Sequence, residues 1–206
     1  MRMKHTSQSQ SEAQAGRPVQ APRRRRAFTL IETMLTAIIV GLAISALVKQ
    51  VLVSTQQNRF TQRMTTGSFL ANNVREMMAG LPFNDPSMGT TTFGPESGEV
   101  LATYNDVDDF DGFDSTVRPD IPGGQPVGVV DAARRVITVN GVVPSEWANW
   151  RQQIAVDPVD PNNLNVTFPK PNTTRTCIRV TVTISYREPN TTYWQTIVQL
   201  RWVKAR

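Results

Sequence analysis

The chain has 206 residues, 39% of them hydrophobic, with a formal net charge of +5, one cysteine and one histidine. That length suffices for one domain with a core plus one element standing outside it, and argues against a multi-domain enzyme. A lone cysteine, Cys177, excludes an intramolecular disulfide and a cysteine-based metal site, and a lone histidine, His5, leaves little imidazole chemistry to invoke.

Residues 1–27 carry seven of the basic residues, including the run Arg23, Arg24, Arg25 and Arg26, against the single acid Glu12, so the rest of the chain has a net charge of −1. A chain without this segment keeps no excess of positive charge, and no nucleic-acid partner is expected. Ser, Gln, Ala and Pro dominate residues 1–22, which bury too little apolar surface to repay ordering. The segment reads as a disordered basic leader.

Between Phe28 and Val53 the only charges are Glu32 and Lys49. At ~1.5 Å per residue this stretch makes a helix about 39 Å long, enough to cross a hydrocarbon layer of about 30 Å. The arginines directly before it are expected to stay cytoplasmic. From residue 54 the pattern becomes amphipathic, with Phe60, Met64, Leu70, Val74, Met77 and Leu81 at near-helical spacings, and Gly80 with Pro82 supplies a stop. One helix is therefore expected from about Phe28 to Ala79. Gly41 and Gly67 interrupt it, either as tolerated glycines or as points of close helix contact.

Residues 80–128 hold fourteen of the 26 glycines and prolines, so 81–133 is expected to be loop-rich. Residues 134–206 should form antiparallel sheet. Arg135 to Val139 reads as a strand, Trp150 to Val156 as a second, and Pro158 to Pro171 as a proline-spaced connection. From Cys177 to Tyr186, Ile178, Val180, Val182 and Ile184 alternate with polar residues in a strict period of two. A turn at Arg187 to Thr191 then precedes a last strand on which Trp194, Val198, Leu200 and Trp202 share a face. The amphipathic half of the helix is the natural cover for this hairpin, giving an α+β fold with a long N-terminal helix packed on a C-terminal antiparallel sheet.

Arg26-Ala27-Phe28-Thr29-Leu30-Ile31-Glu32, followed by an apolar helix, resembles the processing signal of the type IV pilin and pseudopilin family. The resemblance implies that a prepilin peptidase cuts between Ala27 and Phe28 and methylates the new amine, with Ala27 where the family usually has glycine. It implies a single pass through a bacterial inner membrane, an extracytoplasmic domain from 81 to 206, and later assembly with other pilin or pseudopilin subunits as a minor pilin or pseudopilin. Cleavage before the apolar segment is the reverse of a secretory signal peptide, where that segment is lost. Under this resemblance Glu32 pairs with the freed amine of Phe28 on a neighbouring subunit. Read from the residues alone, Thr29 and Glu32 form a capping box at the positive end of the helix dipole.

The tract 106–114 concentrates acids. Asp106, Asp108, Asp109 and Asp111 are hard oxygen ligands of the kind calcium takes, although their spacing is not that of an EF-hand; a solvated loop rich in Asx turns is the other reading. Calcium is the one cofactor these residues suggest, and none is required. Trp147, Trp150, Trp194 and Trp202 read as packing or as a binding platform. The expected role is that of a filament subunit and not an enzyme, with a signal-anchored extracytoplasmic binding module that uses the acidic loop as the alternative.

Overall fold

The computed structural model describes residues 29–85, 93–117, 128–170 and 176–206, so the leader, Ala27 and Phe28 lie outside the described residues. A single helix, α1, runs Leu30–Ala79 and is followed by a short 3-10 turn at Asp108–Phe110 and four strands, β1 (Trp150–Asp160), β2 (Asn163–Thr167), β3 (Cys177–Tyr186) and β4 (Gln195–Ala205). The chain divides between Val51 and Leu52 into two units. It is an α+β protein.

Within the first unit the helix is apolar on every side, and the most apolar 18-residue window of α1 has a mean hydropathy of 2.2 with none of it buried. Thr33, Thr36 and Ser45 each turn a hydroxyl back onto the carbonyl three or four residues earlier, at 2.7–2.9 Å. These three hydroxyls are thereby satisfied inside the helix, as apolar surroundings would require.

In the second unit the strands pair antiparallel in the order β2-β1-β3-β4. Ile154, Val182 and Leu200 lie side by side across β1, β3 and β4, and Val156, Val180 and Trp202 form the next row. The alternation expected over Cys177 to Tyr186 is present: Ile178, Val180, Val182 and Ile184 are fully buried. Their cover is the end of α1, which buries Gly67, Leu70, Ala71, Asn73, Val74, Met77 and Met78. Those positions recur every three or four residues and make one stripe. The helix stops at Ala79, before Gly80 and Pro82. Lys204, at the far end of β4, donates to the carbonyl oxygen of Leu81 just beyond that stop.

Four details differ from the expectations above. Phe60 is 55% exposed and Met64 is also exposed, so the buried stripe begins at Gly67, where the missing side chain lets the helix approach β4. Arg135 to Val139 is no strand: only isolated bridges join Val130 to Val136 and Val139 to Val142, because left-handed residues at Arg134, Asn140 and Gly141 turn the chain too often for a ladder. β1 continues past Val156 through Pro158 to Asp160, and the region taken as a connection contains β2, joined to β1 by a tight turn in which Asp160 accepts the N–H of Asn162. Trp194 does not share a face with Val198. A register shift between Ile184 and Ser185 inserts Ile197 as an extra residue in β4, which moves everything before it to the other face.

The loop-rich segment supplies a large part of the core. Leu101, Val107, Phe110, Val129 and Val130 are at most 1% exposed, and Tyr104 packs edge-on against Phe110 at 5.1 Å. Gln152 holds these layers together from within. Its side-chain amide is fully buried, accepts the N–H of Val130 at 2.6 Å and donates to the carbonyls of Val130 and Leu70 at 3.1 and 3.4 Å.

Candidate functional site

Glu32 sits in the first turn of α1 and is exposed. Its N–H meets the Thr29 carbonyl at 3.0 Å and the Thr29 hydroxyl at 3.4 Å, so Thr29 caps the helix and Glu32 occupies the third helical position. A carboxylate there lies at the positive end of the helix dipole. From Leu30 (78% exposed) and Ile31 to Val53, large apolar side chains are exposed on all sides of the helix. An apolar surface of that extent is stable only against lipid or against other apolar helices.

The acidic tract folds as a capped loop. One carboxylate oxygen of Asp106 accepts the N–H groups of Asp108 and Asp109 at 2.9 and 3.1 Å, and Oδ2 of Asp109 accepts those of Asn105 and Asp106 at 2.8 and 3.1 Å. Burial, reinforced by the charges of Asp108 and Asp109, pushes Asp106 up to about 8. Asp111 lies apart from these, accepting the N–H of Val156 at 2.9 Å and an ion pair from Lys170 at 2.8 Å. The four aspartates singled out in the sequence therefore do not share one point. Among the described residues, the acids whose oxygens meet are Glu96, Glu99 and Asp109, with one carboxylate oxygen of each within 4.8 Å of the others. Neither glutamate was singled out in the sequence, because each is brought to Asp109 by the way the loop folds over Leu101 and Val107. Burial is also the main reason that Glu99 is pushed up to about 7.

The tryptophans divide by position. Trp150 is 6% exposed and belongs to the core, with Trp147 and Trp202 packed against it. Trp194 stands beneath Arg187 and Arg151, whose guanidinium carbons lie 4.7 and 5.7 Å from its ring. Trp147, Trp150, Trp194 and Arg187 line a cleft of about 390 Å³.

Residues 22–48 match the family model described as the prokaryotic N-terminal methylation motif. That match is consistent with a type IV pilin-like prepilin signal, which implies processing by a peptidase and assembly with other pilins. Together with the apolar helix it fits a membrane-anchored protein. No curated protein and no solved structure matches the chain.

Proposed function

We propose that this chain is the precursor of a minor pilin or pseudopilin, cut between Ala27 and Phe28, held in an inner membrane by its apolar helix, and then drawn into a filament of a type IV pilus or type II secretion system. The observation that carries the reading is a helix with a mean hydropathy of 2.2 and no buried residue in its most apolar window, lying within and directly behind a methylation motif. Such a helix needs lipid before assembly and like helices after it. The function is packing, and no turnover is involved.

Glu32 gives the packing its register. A carboxylate in the first turn of an otherwise apolar helix finds few partners once such helices pack side by side, so a neighbouring subunit that offers the amine of Phe28 at the right height is favoured over one offset along the axis. Anchoring places the Arg23 to Arg26 run on the cytoplasmic side and residues 81–206 outside. Glu32→Gln tests this role. Incorporation of the variant into filaments should fall at least about tenfold, the ratio that ~1.4 kcal/mol of lost pairing produces, while removal of the leader continues. Undiminished incorporation contradicts it.

A second reading has its own support in the buried acidic loop: a permanently anchored extracytoplasmic binding module that keeps its leader. The two readings part at the mature N-terminus.

A further inference from the structure

We propose that Glu96, Glu99 and Asp109, joined by the side-chain oxygen of Asn105, form a calcium site inside the loop-rich half of the domain. Of the four aspartates singled out in the sequence, only Asp109 belongs to it. The proposal is independent of the filament reading, since it concerns the fold of the domain and not the helix.

Convergence is the first support. One oxygen from each of the three carboxylates lies within 4.8 Å of the others, inside the ~5 Å that separates opposite ligands of an ion held at ~2.3–2.6 Å. Backbone groups hold the ligands in place from behind. The N–H groups of Asn105 and Asp106 fix Oδ2 of Asp109, and the N–H of Glu96 fixes Oε2 of Glu99 at 3.1 Å.

The second support is separate from the clustering. Asp109 is 1% exposed, and its Oδ1 has no hydrogen-bond partner. The Oδ1 of Asn105 is likewise buried without one, on an amide whose Nδ2 donates to Glu99 at 3.0 Å. Buried oxygens without donors are costly, and one on Asp109 beside two further carboxylates, with a second on an amide bonded to one of them, is what a cation would satisfy.

The ion's identity follows from charge and hydration. Arg134, whose guanidinium donates to the Tyr104 carbonyl, faces Asp109 and offsets part of the negative charge, while the Asp108 charge adds to it. All the donors are oxygens. With Asp109 buried and both glutamates half-buried, a divalent ion must shed part of its water to meet all three, which calcium does readily and magnesium reluctantly.

Equilibrium dialysis of the full chain in detergent against radioactive calcium tests the site, with thermal unfolding in CaCl2 and in EGTA as a second readout. The expected result is one ion per chain, with Kd within roughly the 10⁻⁴–10⁻³ M range of extracellular modules, and a higher unfolding temperature in calcium. Glu96→Gln with Glu99→Gln should abolish both effects while circular dichroism still shows a folded chain, and Asp111→Asn should leave both intact. Wild-type protein that binds no calcium and unfolds identically in EGTA overturns the proposal, as does binding that survives the double glutamine variant or is lost in Asp111→Asn.

Discussion

A β-carbon on Gly67 would stand 3.1 Å from Cγ2 of Val198, so the helix crosses β4 at a contact that leaves almost no room for a side chain. The neighbouring Cγ2 of Ile197 would lie at 3.2 Å. Both are β-branched residues with stiff χ1, so neither swings aside cheaply. Replacing a helical glycine by alanine gains up to ~1 kcal/mol of propensity, which roughly offsets the tight contact. Gly67→Ala should therefore stay within about 1 kcal/mol of the parent, whereas Gly67→Leu overpacks the crossing and should cost about 1–3 kcal/mol. Urea unfolding of the full chain in detergent, followed by tryptophan fluorescence, reads the difference. Unchanged stability in Gly67→Leu would place the helix elsewhere.

Gln152 is the second point at which the layers depend on one side chain. Gln152→Leu keeps the volume but leaves the N–H and one carbonyl bond of the fully buried Val130 without their partner. Two unmade buried hydrogen bonds should cost about 2–4 kcal/mol. Thermal unfolding should then fall by roughly 5–15 °C for a domain of this size. Gln199→Leu, on the exposed face of β4, is the control and should change stability by no more than about 0.5 kcal/mol.

The third expectation concerns acid. Burial alone would raise the Asp114 carboxyl, but hydrogen bonds from Arg151 and Thr116, with the Arg151 charge, outweigh it and hold the group below the ordinary carboxylate range. A folded-state value below the unfolded one means that the proton binds the unfolded chain more tightly. The pair's contribution is thus present above about pH 4 and is lost as pH falls through the folded-state value. Asp114→Asn should cost about 1–3 kcal/mol at pH 7 and flatten the decline in stability below about pH 4. Urea midpoints at a series of pH values check this, and an unaltered acid limb would rule out the pairing.

What could be read in advance was what the chain encodes locally. The apolar run, the stop at Gly80 and Pro82, and the period of two from Cys177 to Tyr186 each lie within one short window, and α1 stops at Ala79 and β3 spans Cys177–Tyr186 as expected. β2 could not be read this way because all five of its residues are exposed, so it carries no buried alternation and owes its existence to pairing with β1. The side to which Trp194 turns depended on a bulge at Ile197 that no local pattern announces. The processing motif is likewise local, spanning Arg26 to Glu32. By contrast, Glu96 and Glu99 reach Asp109 only because Leu101, Val107 and Phe110 sink into the core and draw the loop inward.

The central claim is that the apolar helix is released from its basic leader in order to pack with its own kind. Intact-mass and N-terminal peptide measurement of the protein recovered from membranes tests this most directly. The account predicts a chain that begins at N-methylated Phe28 and lacks residues 1–27. A chain that retains the leader, with Arg23 to Arg26 still attached to Ala27, would contradict it.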